Sequence, residues 1–259
     1  MATTPPLTDP GDSPLPVGAM LERLVTIYGR RFGLLVIVGL IVNVPTLISG
    51  QLGSRWPSSI FSTTYPPQTY PPHLSLDSGM AIRFGLAGLI ALLFLPWLIG
   101  AMPRAALAAV NGQATDVGGV LAAVLHRYFR LYGMFFVLGL VVSALAVTII
   151  GIPVAIWIGV RWSLAPIVLF AEDLGAMQSL GRSWSLVRGS WWRTFGLILL
   201  VALITVLIEL GSHLIPFGIF QYAVASLLAP FGAILLVIIY RERIWSQSQQ
   251  GAAPKAPAP

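Results

Sequence analysis

The sequence predicts an all-α integral membrane protein: six transmembrane helices in three repeated units, each an interfacial amphipathic helix followed by a helical hairpin, with both termini cytoplasmic. Three observations carry this. The 259 residues are 56% hydrophobic and only 9% charged, against about a quarter charged in soluble domains. Six apolar runs are long enough, or nearly so, to cross about 30 Å of hydrocarbon. The arginines gather on one side of those runs, which by the positive-inside rule is the cytoplasmic side.

The chain divides into a tail at 1–17, a membrane domain at 18–245 and a second tail at 246–259. The first 17 residues hold five prolines, two aspartates and no base. That composition fits a disordered tail and lacks the basic start and apolar middle of a signal peptide. The closing stretch SQSQQGAAPKAPAP reads as a flexible tail as well. Spans are expected at Phe32–Ile48, Phe84–Met102, Leu131–Ile150, Ile152–Phe170, Thr194–Gly211 and Phe220–Tyr240. Only Gly151-Ile152-Pro153 separates the third from the fourth, so those residues must form the hairpin turn. The connector from Gln51 to Asp77, rich in Pro, Tyr and Ser, falls outside.

The cations sort by side. Arg23, Arg30 and Arg31 precede span one; Arg104, Arg127 and Arg130 lie between two and three; Arg182, Arg188 and Arg193 lie between four and five; Arg241 and Arg243 follow six. The opposite side has Arg55, with Arg83 at its edge. The net charge of +6 therefore belongs to membrane topology, and a nucleic-acid surface is not indicated. With no cysteine, disulfides and thiolate chemistry are excluded.

Interfacial helices precede the odd spans. Gly181–Gly196 packs three tryptophans and three arginines into sixteen residues. On a helical wheel, Ala176, Met177, Leu180, Trp184, Val187 and Trp191 share one arc, with Leu186 off it. Arg182, Trp184, Arg188, Trp191, Trp192 and Arg193, with Arg30 and Arg130, are thus candidates for a lipid interface, tryptophans at headgroup depth and arginines toward anionic lipid. Leu21, Leu24, Val25 and Tyr28 share a face in the same way ahead of span one. The pattern aromatic-x-Arg-x-aromatic-Gly recurs at Tyr28–Gly33, Tyr128–Gly133 and Trp191–Gly196, and each even span carries a proline: Pro96, Pro166 and Pro230. These shared marks define the three units.

The stretch from Arg161 onward, with RWSLAP, Glu172, LGRSW and LVRGSWWRTFG, resembles the membrane domain joined to some bacterial glycerophosphoryl diester phosphodiesterases, which also occurs as a stand-alone protein. Tyr28–Pro45 and Ala108–Arg130 look like the same family's cytoplasmic pattern. The likeness covers most of Met20–Arg243 and is sharp over about forty residues. It implies a multi-pass protein of the bacterial inner (plasma) membrane, without the separate catalytic barrel.

Catalytic patterns are missing from the sequence. The three histidines (73, 126 and 213) show no ligand spacing, and there is no P-loop, dinucleotide fingerprint or nucleophile elbow. No cofactor is called for. Glu172 and Asp173 are expected to order the helix that follows, by pairing with Arg182 or by N-capping. The intramembrane polar groups Arg161, Glu209, His213 and Asn43 suggest function by default, since charge in hydrocarbon is costly; an Arg161–Glu209 ion pair locking helices together is the structural alternative. Pro166 leaves the Trp162 carbonyl without its helical donor, next to Arg161. The expected function is a non-enzymatic membrane scaffold or accessory module that contacts anionic lipid headgroups on the cytoplasmic side, or a partner protein. The alternative is a permease for a small amphiphile with its site near Arg161.

Overall fold

The computed structural model describes residues 16–53, 78–148, 150–212, 214 and 218–252. His73, His213, most of the Gln51–Asp77 connector and the outer parts of both tails lie outside them. Among the described residues ten helices follow one another: α1 (Val17–Arg30), α2 (Phe32–Gly53), α3 (Ser78–Val110), α4 (Val117–His126), α5 (Tyr128–Ala146), α6 (Gly151–Trp162), α7 (Ala165–Ala171), α8 (Ala176–Val187), α9 (Trp191–Ser212) and α10 (Gly218–Ala252). No strand occurs among the described residues. Among the described residues, five stretches are long and apolar enough to cross a membrane, one of them α6 and α7 taken together. A sixth is reached only through α1 and α2, which meet at 87°.

A short helix precedes a pair of longer ones three times, with α6 and α7 sharing the second place of the middle unit. The corners are alike. Arg31 (φ −122°, ψ 28°) turns α1 into α2, and Arg127 (φ −107°, ψ 17°) turns α4 into α5. At the third corner Gly189 adopts φ +84°, a conformation open to glycine at little cost. Burial follows the same register. Met20, Val120 and Ser183 lie eight residues before the motif aromatic, Leu24, Val124 and Val187 four before it, and all six are buried.

The packing closes into a ring. The proline-bearing helices α3, α7 and α10 touch one another pairwise at the centre. Each outer helix sits between its own central partner and that of the preceding unit: α2 between α3 and α10, α5 between α6 and α3, α9 between α10 and α6. The first aromatic of each motif ties the ring together. Tyr128 donates to the Leu93 carbonyl (3.0 Å), Tyr28 to Leu227 (3.1 Å) and Trp191 Nε1 to Trp157 (3.2 Å), always on the preceding unit's central helix. Leu93 and Leu227 each stand three residues before a proline, next to the carbonyl that the proline leaves without its helical donor.

Small residues permit this closeness. Lipid chains are as apolar as leucine, so helix association in a bilayer depends on packing rather than on escape from water. Ala101, Ala105, Ala106, Ala108 and Ala109 form a buried run on α3. The outer helices instead turn leucines and other large apolar side chains outward, such as Phe136 and Leu140 on α5 and Leu203, Leu207 and Leu210 on α9. An exposed apolar surface of this extent suits lipid.

Several boundaries differ from the sequence expectation. The second hairpin turns after α5 ends at Ala146, ahead of Gly151-Ile152-Pro153. Thr148 organises the turn, its Oγ1 accepting from the Gly151 N–H at 3.0 Å. Pro153 then falls in the first turn of α6, where no intrahelical donor is needed. Span four is broken at Ser163–Leu164, where Ser163 Oγ donates to the Val160 carbonyl at 2.8 Å. α10 continues through Ala252, into residues whose composition suggested a tail. Ser246 and Ser248 bond back to the carbonyls of Arg243 and Trp245 there, and glutamine and alanine are good helix formers.

Candidate functional site

Polar chemistry falls into two clusters. The first centres on Arg161, at the end of α6. Its guanidinium carbon lies 4.2 Å from the Trp157 ring centre and 4.4 Å from that of Trp184 on α8. The cation thus lies within cation–π distance of two indole rings, contacts that suit the planar guanidinium. Trp184 meets Trp157 edge-on at 5.1 Å. Ser183 Oγ donates to the Arg161 carbonyl at 2.7 Å, which fastens α8 to α6.

This corrects the intramembrane grouping. Arg161 forms no ion pair with Glu209; two tryptophan rings lie beside it where a carboxylate was expected, and its buried Nε has no hydrogen-bond partner among the described residues. Glu209 is exposed on α9 and borders a separate cleft of about 310 Å³ lined mostly by apolar groups of α9 and α10, with Ser163 and Thr205. Asn43 donates from Nδ2 to the Gly39 carbonyl one turn back at 2.9 Å. His213 lies outside the described residues. The sequence-predicted set is therefore scattered over different helix interfaces.

The α8 wheel also needs revision. The face against the protein is Ser179, Leu180, Ser183, Leu186 and Val187, because serines are small enough for α8 to lie close to its neighbours. Trp184 and Trp191 have protein partners on α6, which the wheel did not foresee. Trp192 is 78% exposed and its counterpart Phe129 86%, so these aromatics are the ones turned outward.

The second cluster lies at the end of the bundle that carries α1, α4 and α8. Glu172 receives Arg182 Nε at 3.2 Å and the Tyr240 hydroxyl at 3.1 Å, while Arg182 Nη1 donates to Gln247 at 3.1 Å. The expected Glu172–Arg182 pairing is present. The N-cap of α8 is Gly175, whose N–H donates to Gln178 Oε1 at 3.2 Å, so the alternative of capping by Glu172 or Asp173 is not realised. Asp173 instead takes Arg127 at 2.9 Å and Arg130 at 3.0 Å. Arg193 pairs with the buried Glu242. Arg30 and Arg188 are exposed. Asp116 begins α4, accepting from the Gly119 N–H at 2.9 Å.

Sequence reasoning passed over Glu242, Tyr240, Gln113 and Asn111. Glu242 had a signal: it is a single acid inside the run Arg241–Arg243, and a lone carboxylate in a basic run is well placed for an ion pair. Among the described residues, no three His, Asp or Glu side chains gather as a metal site would need. Comparison with family models, curated proteins and solved structures finds no match to this chain.

Asp173 gives a pH-dependent prediction. The hydrogen bond from Arg127, then that residue's charge, hold its carboxyl below the usual carboxylate range, and Arg130 adds to this. A depressed folded value means the tie is fully present above the unfolded value of about 3.9 and is lost as pH falls through the lower folded one. Asp173 sits at φ 51°, which asparagine tolerates. Asp173→Asn should therefore fold normally and lower the melting temperature slightly at pH 7. Below about pH 4 the gap to wild type should close. A gap independent of pH would show that the charge is not what matters.

Proposed function

We propose that this chain is a non-enzymatic membrane scaffold that holds anionic lipid with the arginine-rich end of its helix ring. The supporting observation is that end itself. Hairpin topology returns every central helix to the side where the next short helix begins, so α1, α4 and α8 gather there with their arginines. Val25 on α1, Leu125 on α4 and Met177 on α8 are exposed large apolar groups, suited to the headgroup–acyl boundary. The 87° bend between α1 and α2 fits a helix lying along a membrane that its successor crosses.

In this reading the arginine end and both termini are cytoplasmic, by the positive-inside rule. The three units descend from one ancestral unit, as their shared corners, burial register and ring bonds suggest. The likeness to the phosphodiesterase-linked membrane domain agrees with a bacterial inner-membrane location. No residue set in the arginine end suggests hydrolysis. The permease alternative placed its site at Arg161, whose guanidinium already rests against the Trp157 and Trp184 rings, and it is less favoured for that reason.

Native mass spectrometry from gentle detergent is the test. Wild type should retain phosphatidylglycerol in preference to phosphatidylcholine. Arg30→Ala and Arg188→Ala should each weaken retention by about 1 kcal/mol, because both side chains are exposed. Arg182→Ala should affect retention less than either, since its charge is already spent on Glu172. Equal retention of the two lipids by wild type would refute the scaffold reading.

A further inference from the structure

We propose that the cleft between Arg104, Arg127 and Arg241 is a binding site for a phosphate-bearing anion, supplied either by a lipid headgroup or by a small soluble phosphate. The cleft measures about 250 Å³ and opens where the central helices converge: Arg104 comes from α3, Arg127 from the α4–α5 corner, Arg241 from α10. Asn111, Gln113 and Tyr240 also line it.

Charge balance carries the argument. Three cations from three parts of the chain face one space, and like charges repel unless an anion lies among them. The nearby carboxylates are engaged on other groups. Asp173 is shared by Arg127 and Arg130, and Glu172 is held by Arg182 and the Tyr240 hydroxyl. Arg104 finds only the neutral Gln113 Oε1, at 3.3 Å. Arg241 Nη1 is buried and has no hydrogen-bond partner among the described residues. A buried charged donor without an acceptor is costly, and this one lies at the cleft.

The donor set favours phosphate over carboxylate. Guanidinium groups from three parts of the chain suit an ion with several charged oxygens, to which a guanidinium donates directionally. Arg127 keeps Nη1 beyond its bonds to Asp173, and Gln113 keeps its amide N–H groups while accepting from Arg104. The floor includes Leu107, which is buried. A lipid source rests on the scaffold reading, which puts this end at headgroup level; a soluble phosphate does not need it.

The test uses the purified full chain in detergent, with two probes: phosphatidic acid in mixed micelles and inorganic phosphate. Wild type should bind at least one saturably. Arg104→Gln and Arg241→Gln should each weaken that binding at least tenfold, and Arg241→Lys less than Arg241→Gln. Without anion, Arg241→Gln should melt no lower than wild type, because it removes a repelled cation; a purely structural arginine would melt lower. Binding of phosphatidic acid alone assigns the site to lipid, and binding of inorganic phosphate as well assigns it to soluble phosphates. Wild-type affinity in both glutamine variants, or no saturable binding by wild type, overturns the site. Preferential phosphatidylglycerol retention under that last result leaves the scaffold reading standing, so the two ideas fail separately.

Discussion

Glu242→Ala should cost about 3–5 kcal/mol of stability, the usual penalty for removing one member of a buried ion pair. The carboxylate side chain is 6% exposed and its partner Arg193 is 24% exposed. Arg193 also reaches the Met20 sulfur at 3.9 Å, so one guanidinium joins α1, α9 and α10. Removing Glu242 takes the carboxylate from a guanidinium that also faces the Arg243 charge. Glu242→Gln should fall between wild type and Glu242→Ala, since it keeps the shape and loses the charge. The pair Arg193→Met with Glu242→Leu separates charge from packing: replacing both ions by apolar groups of similar volume is often neutral or stabilising. It should recover most of what the single variant loses. Thermal melts in detergent measure all three. A Glu242→Ala change within about 0.5 kcal/mol, as for a surface substitution, would mean that the pair is solvated and unimportant.

Much of this architecture was legible because the bilayer simplifies the problem. Lipid rewards long apolar helices and sorts arginines by side, so composition and charge asymmetry located the long helices and the short ones before them. The motif aromatic-x-Arg-x-aromatic-Gly marked the corners, and its first residue turned out to supply the bonds that close the ring. Side-chain partners were less legible. A helical wheel knows hydrophobicity but not which neighbour lies opposite; it therefore left Leu186 off the apolar face and missed the serines that let α8 approach α6. Arg161 shows the same limit. The cost of unpaired charge in hydrocarbon suggested Glu209, whereas the partners are Trp157, one turn away on α6, and Trp184 on α8. Glu172 with Arg182 was readable because the two are ten residues apart across one turn. Arg193 with Glu242 was not, being forty-nine residues apart with no local pattern linking them.

Gly39→Ala should destabilise by about 1–3 kcal/mol, and Gly39→Val by more, as overpacking a closed interface does. A Cβ at Gly39 would stand 2.4 Å from the Ser226 carbonyl oxygen and 3.1 Å from the Met102 methyl. The methionine can move; the carbonyl belongs to the α10 backbone and cannot move without shifting the helix. Ser226 is four residues before Pro230, so its carbonyl oxygen lacks the N–H that would donate to it in the helical ladder. It points at α2, where glycine allows the approach. A nearby bond holds the two helices in this register: the Tyr222 hydroxyl on α10 donates to the Leu40 carbonyl on α2, while Ser226 Oγ donates within α10 to the Tyr222 carbonyl at 2.8 Å. Gly33 is the control on the same helix. Nothing lies within 4 Å of its would-be Cβ, and alanine favours a helix over glycine by about 1 kcal/mol, so Gly33→Ala should be neutral or stabilising. The ordering matters more than either magnitude, because propensity alone predicts that both substitutions stabilise. If Gly39→Ala melts with or above Gly33→Ala, α2 does not pack on the proline-kinked α10. The ring would then be open between the first and third units.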